Sequence, residues 1–240
     1  MKVVIGTNEE ISKLIAEEFI KQINAKPNSV LGLATGTSPL EVYANLVKAN
    51  KEGRVSFKDV VTFNLDEYIG LDGTHNQSYR YFMNVNLFDH IDIDKARTHV
   101  LKGTGDYLAY ANQYDNEIAK FGGIDLQILG IGSDGHIAFN EPGTSFDSLT
   151  HVAELAESTI VDNSRLFNDI SEVPTQAVTM GLKSIMNARK IVLIATGKNK
   201  AKAIKDLLLG EKTEEVPCSI LQDHPDCTIY VDKDAYSLVK

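Results

Sequence analysis

Short apolar runs constrain this chain most, because each one breaks into a polar or glycine-rich loop and is followed by residues at helical spacing. Residues 30–34, 60–63, 126–131 and 190–195 are the clearest of these runs. Each is the length of one buried strand and too short for a core helix. Between them apolar residues return with a helical period, as in Ile11, Leu14, Ile15, Phe19 and Ile23, and again in Leu40, Tyr43, Ala44 and Val47. Strands alternating with helices specify an α/β fold, with a parallel-rich central sheet and helices on both faces. Right-handed crossovers keep the carboxyl ends of such strands on one edge. The loops at Thr35, Asn64, Gly132 and Thr196 are therefore expected to open into one pocket.

The remaining elements follow from local chemistry. Residues 3–5 read as a first strand, and Thr7 with Glu10 offers a capping box for the helix after it. Ser38 is expected to cap the next helix, with Pro39 at its first position and Glu41 completing a second box. Asp66 and Glu67 fall where a strand gives way to a loop. A helix is expected over 78–88, a strand over 98–101, a helix opened by Asp106 and stopped by Gly122-Gly123, and a strand over 150–155. Residues 158–173 are polar and weakly periodic, and read as a mobile lid. Ala177, Val178, Gly181, Leu182 and Ile185 then suggest a helix. A further helix runs through Leu208 to a Gly210 cap, and 228–231 make a last strand. With 240 residues and no repeat or linker, the chain is expected to be one domain with a lid.

Charge narrows the function classes. Lys and Arg number 24 against 33 Asp and Glu, a net charge of −9. That balance argues against nucleic acid or an anionic membrane as partner. No run approaches a membrane span, and the amino terminus is too short an apolar run for a signal peptide. Cys218 and Cys227 lack metal or redox spacing and read as buried thiols of a reducing, cytoplasmic compartment.

Chemistry concentrates in Ile128-Leu-Gly-Ile-Gly-Ser-Asp-Gly-His-Ile-Ala-Phe-Asn-Glu-Pro-Gly143. His136 stands between two carboxylates, Asp134 and Glu141, on a loop at a strand's carboxyl end. Carboxylates so placed orient an imidazole and favour its charged form, which suits proton transfer on oxygen. A metal held by His136, Asp134 and Glu141 is the competing reading, ranked lower because no second histidine is near. Thr35, Gly36, Thr37 and Ser38 precede a helix, where free amides and the helix dipole favour an anion. Arg165 and Lys200 are candidate positive partners. The Thr35–Ser38 loop has no Gly-Lys-Ser/Thr, and the Gly-x-Gly-x-x-Gly of residues 130–135 leads into His136 and Pro142 rather than a helix. Both observations count against nucleotide binding. Together the features point to proton shuffling on a phosphorylated sugar.

Several blocks resemble the glucosamine-6-phosphate deaminase (glucosamine-6-phosphate isomerase) family. These are Leu31-Gly-Leu-Ala-Thr-Gly-Thr-Ser-Pro39, Val55-Ser-Phe57, Thr62-Phe-Asn-Leu-Asp-Glu-Tyr-Ile-Gly-Leu71, Gly130-Ile-Gly-Ser-Asp-Gly-His-Ile-Ala-Phe-Asn-Glu-Pro142 and Asn163-Ser-Arg165. The resemblance implies a modified Rossmann-like α/β fold and conversion of glucosamine 6-phosphate and water to fructose 6-phosphate and ammonia, without metal or organic cofactor. It implies Asp66 as the base at carbon 2 and His136 as the ring-opening group, oriented by Asp134 and Glu141. Gly36, Thr37, Ser38, Arg165 and Lys200 match its phosphate-binding positions, with Thr35 beside them.

Departures from the family pattern carry expectations of their own. Position 37 is often Gly or Ser there; Thr37 keeps a backbone-donor role if its φ stays negative. Hexameric members carry a basic pair that binds the activator N-acetylglucosamine 6-phosphate, and the equivalent positions here are His151 and Ala153. Members of that kind also have a longer carboxyl-terminal tail. The expectation is a monomer or small homo-oligomer without that activation. A 6-phosphogluconolactonase-like hydrolase is the nearest rival, but it needs no base at carbon 2. A sugar-phosphate sensor is the other, but such regulators carry a helix-turn-helix, for which there is no room before the first strand.

Overall fold

The computed structural model describes residues 1–165 and 167–239. In chain order the main elements are β1 (Lys2–Ile5), α1 (Asn8–Ala25), β2 (Val30–Leu33), α2 (Leu40–Lys51), β3 (Val61–Asn64), β4 (Asp66–Tyr68), α3 (Tyr79–Asn86) and β5 (Thr98–His99). There follow α4 (Tyr107–Lys120), β6 (Leu126–Leu129), β7 (His151–Glu154), α5 (Glu157–Ser164), β8 (Gln176–Thr179), α6 (Leu182–Met186), β9 (Ile191–Ala195), α7 (Ala201–Leu209) and β10 (Cys227–Val231). Short 3-10 turns, the longest over Pro217–Asp223, complete the description.

Seven strands form one sheet in the order β1-β10-β9-β6-β2-β3-β5, and every pairing in it is parallel. The chain steps one way from β1 through β2 and β3 to β5, then back through β6 and β9 to β10. Right-handed crossovers therefore put α1 and α2 on one face and α4 and α7 on the other. The central strands β2, β6 and β9 are buried along their whole length, as a sheet covered on both faces requires. α1 begins at the expected capping box: Glu10 N–H donates to Thr7 Oγ1 and Thr7 N–H to Glu10 Oε2. Ser78 and Asp106 cap α3 and α4 singly, their side chains accepting from the Tyr81 and Ala109 amides.

A second, antiparallel sheet of order β4-β8-β7 sits at the carboxyl edge of the first. It carries its own apolar cluster of Tyr68, Phe139, Ala153, Leu155 and Ala177. Four local expectations are corrected there and beside it. Ala177 and Val178 are strand residues of β8, because pairing with β4 and β7 on both sides outweighs the helical spacing, and the helix starts only at Leu182. Asp66 to Tyr68 are a strand rather than a loop for the same reason. The segment 158–173 is not irregular throughout, since α5 occupies its first part; Leu166 within it lies outside the described residues. Ser38 makes no cap, and α2 starts after Pro39; Glu41 turns away to accept from Asn8 Nδ2 at 2.7 Å.

Cys218 and Cys227 are free and buried, with burial pushing both thiols up to about 12. No described helix is long and apolar enough to cross a membrane.

Candidate active site

The carboxyl ends of β9, β6, β2 and β3, neighbours in the sheet, open on one cleft of 480 Å³. Thr35, Gly36, Thr37, Ser38, Asp66, His136, Arg165 and Lys200 all line it, so eight of the ten residues singled out in the sequence converge. Asp134 and Glu141 stand behind the imidazole instead. Tyr79, Thr159, Asn163 and Asn199 line the cleft too. Tyr79, Thr159 and Asn199 were not legible as site residues, because each sits in an ordinary helical or polar stretch.

Gly36, with φ +90° and nothing within 4 Å of where a Cβ would stand, turns the chain out of β2 toward α2. Among the described residues the amides of Gly36, Thr37 and Ser38 donate to no protein group. Ala138 is the one described non-glycine residue with positive φ, so Thr37 keeps the conformation of an amide donor. Such amides with Arg165 at the end of α5 and Lys200 at the start of α7 make a place for an anion.

Opposite lies the histidine loop. His136 Nδ1 is 2.8 Å from Asp134 Oδ1 and 3.6 Å from Glu141 Oε2, although its N–H does not point straight at either. The ring rests on Gly132, where a Cβ would fall 2.3 Å from its atoms; only glycine fits. The polar contact with His136 holds Asp134 down at about 2, so this carboxylate is negative at any working pH. Glu141 Oε1 accepts from Thr159 Oγ1 at 2.7 Å and from Ala156 N–H at 3.3 Å. The ligand-type atoms of Asp134, His136 and Glu141 lie within 4.8 Å of one another. The Asp134–His136 separation is nevertheless that of a direct pair. Two ligands of a tetrahedral zinc, with bonds of about 2.0–2.2 Å, would stand farther apart.

Asp66 is only 6% exposed and, like its neighbour, belongs to β4. Burial, with Glu67 beside it, pushes its carboxyl up to about 8. The alternation of a strand sends the two acids different ways. Glu67 accepts from the Tyr68, Tyr79 and Arg80 amides at 3.0, 2.9 and 3.0 Å, holding the first turn of α3. Burial still raises it to about 7 against those three bonds.

β8 fixes the two halves of the site relative to each other. On one side Met180 N–H donates to Leu65 O at 2.7 Å, and Thr179 pairs with Asp66. On the other, Phe139 N–H donates to Thr179 Oγ1 and Asn140 Nδ2 to Met180 O.

The arrangement is that of an α/β enzyme with a buried carboxylate and a carboxylate-backed imidazole facing a loop of backbone amides that no protein group uses. The chain belongs to the family described as glucosamine-6-phosphate isomerases/6-phosphogluconolactonase, whose model matches residues 7–230. It is 54% identical over 241 residues to a glucosamine-6-phosphate deaminase of Thermoanaerobacter pseudethanolicus, covering 100% of this chain and 95% of the relative. To one of Clostridium perfringens strain 13 it is 48% identical, with both chains covered in full. A solved structure of a monomeric glucosamine-6-phosphate deaminase superposes with a TM-score of 0.97 at 42% identity, covering 99% of this chain and 100% of that one. The 6-phosphogluconolactonase of Trypanosoma brucei shares the fold, with a TM-score of 0.79 at 18% identity over 100% of this chain and 98% of its own.

Proposed function

We propose that the chain converts glucosamine 6-phosphate and water to fructose 6-phosphate and ammonia. One observation carries the reading: a buried carboxylate and a supported imidazole line the same cleft as amide donors that no protein group uses. Full-length relatives at about half identity bear the name of this activity.

In this reading Thr35, Gly36, Thr37, Ser38, Arg165 and Lys200 hold the phosphate. His136, oriented by Asp134 and Glu141, moves the proton between the ring oxygen and the hydroxyl of carbon 1 as the ring opens. Asp66 takes the proton from carbon 2 and returns it to carbon 1, while the carbon 1 oxygen gains a proton and the ammonium loses one, leaving a ketose imine. Water adds to that imine and ammonia leaves. Every step is a proton transfer, an addition or an elimination, and none requires an electron acceptor. With Asp66 at about 8, its ionised fraction rises with pH. The free-enzyme parameter kcat/KM should therefore climb from pH 6 toward pH 8.

The test is product release by the intact protein and by Asp66→Asn. Stoichiometric ammonia and fructose 6-phosphate, falling at least about 1000-fold in the variant, support the reaction and the base. A protein that binds the sugar phosphate but makes neither product would be a sensor, and one that opens 6-phosphogluconolactone instead would be a hydrolase of the same fold.

Segment 158–173 is inferred to act as a lid, since it supplies Thr159, Asn163 and Arg165 to the cleft. Substrate should then slow amide exchange there, and unchanged exchange would remove the idea. A monomer or small homo-oligomer acting in the cytoplasm is also inferred, the two free thiols suiting a reducing compartment. Ala153 is buried in the second sheet's apolar cluster and cannot join a basic pair. Saturation should accordingly be hyperbolic and unmoved by N-acetylglucosamine 6-phosphate; a sigmoidal curve straightened by it would overturn this.

A further inference from the structure

We infer that Thr159 is a positioning residue for the proposed reaction: its hydroxyl aims Glu141 at His136 and ties that pair to the helix that carries the phosphate arm. This inference rests on the functional reading above.

Glu141 has two oxygens with different surroundings. Oε2 faces His136 Nδ1 at 3.6 Å, and is itself a buried atom with no hydrogen-bond partner. Oε1 is held, accepting from Thr159 Oγ1 at 2.7 Å and from Ala156 N–H at 3.3 Å. Both donors belong to the amino end of α5, Ala156 at the cap position and Thr159 in the first turn. The shorter bond comes from Thr159, a residue 5% exposed. A carboxylate gripped on one oxygen can rotate little about its last torsion, so the free oxygen is kept toward the imidazole. The other groups acting on this cluster are Asp134, on the histidine's own loop, and Lys202 of α7 and Cys218 of the turn over Pro217–Asp223, both of which act on Asp134.

The same helix reaches the other side of the cleft. Asn163 lies in its last turn and Arg165 follows at its carboxyl cap, both lining the cleft. An eight-residue helix thus holds the histidine's orienting carboxylate at one end and a proposed phosphate ligand at the other. Any shift of α5 when the phosphate is bound is passed to Glu141 through the Thr159 hydroxyl. Sequence position hides this link, because residues 141 and 159 lie on either side of β7.

The experiment compares the wild type with Thr159→Val, which removes the hydroxyl at nearly constant shape, and Thr159→Ser, which keeps it. Steady-state ammonia release from glucosamine 6-phosphate is followed across pH 5.5 to 9, with thermal melting to show that each variant folds. Loss of a hydrogen bond to a charged acceptor predicts a kcat about tenfold lower in Thr159→Val, with KM changed by less than about twofold. The pH dependence of kcat should change in that variant, and Thr159→Ser should restore both rate and profile. A folded Thr159→Val with wild-type kcat and profile overturns the inference while leaving the proposed reaction standing. A loss in KM alone, or one that Thr159→Ser does not repair, also overturns it. If the wild type releases no ammonia, the functional reading fails first and this inference falls with it.

Discussion

Asp66 is a buried carboxylate whose ionisation costs stability. Its carboxyl is raised from the ordinary 3.8 to about 8, chiefly by burial. Between those two values the folded protein holds a proton that the unfolded chain has released. Stability from this group is therefore fully present below about pH 4 and is lost as pH rises toward 8, by at most about 1.4 kcal/mol per pH unit. Asp66→Asn removes the liability together with the proposed base. Its melting temperature should approach the wild type's below about pH 4 and exceed it increasingly up to pH 8, as calorimetry at several pH values would show; a constant difference would refute the burial argument. His136 is constrained by sterics as well as charge, because its ring lies where any side chain at position 132 would stand.

At the scale of elements, α3 and β8 matter because they fix angles and distances within the site. Glu67 is a helix anchor rather than a second base, since its oxygens are spent on the amides of Tyr68, Tyr79 and Arg80. Glu67→Ala should cost about 1–3 kcal/mol in urea unfolding and speed amide exchange at Tyr79 and Arg80 ahead of the rest of α3. Uniform exchange along the helix would contradict the anchoring role. β8 was misread from sequence because five apolar residues between 177 and 185 fit a helical period as well as they fit a strand followed by a helix turn. The pairing partners that decide, Asp66 to Tyr68 and His151 to Glu154, are far away in the chain. Ser38 failed as a cap for a local reason: Pro39, with φ −83° and ψ −5°, takes the cap position itself.

Across the whole molecule, stability and chemistry are placed at opposite edges of the large sheet. At the amino ends of β2, β6 and β9, Asp125 is 6% exposed and accepts from Lys26 Nζ at 2.7 Å, Arg189 Nη1 at 3.0 Å and the Val30 amide at 2.8 Å. Arg189 also donates to Gly122 O and Gly123 O, so this one cluster gathers the entries to three central strands. Asp125→Ala leaves a buried amide unpaired and two cations without their shared partner. It should cost about 1–3 kcal/mol of stability, chiefly for the unpaired Val30 amide, because the Lys26 and Arg189 heads reach water. The KM for glucosamine 6-phosphate should be unchanged, since the cleft is at the other edge; a raised KM would mean that the edges are coupled.

Sequence alone determined the strand–helix alternation, the parallel sheet and the gathering of strand ends at one edge. These follow from hydrophobic period and chain handedness, which act locally and on every βα unit alike. It also marked His136 with its two carboxylates, because those residues share one loop. Tertiary structure decided which acid of the Asp66-Glu67 pair faces the cleft, through β4's pairing with a strand more than a hundred residues away. It likewise brought Tyr79, Thr159 and Asn199 into the wall and set Glu141 against Thr159. Such contacts depend on how separate elements pack, and no periodicity within a segment encodes the partner that lies across a cleft.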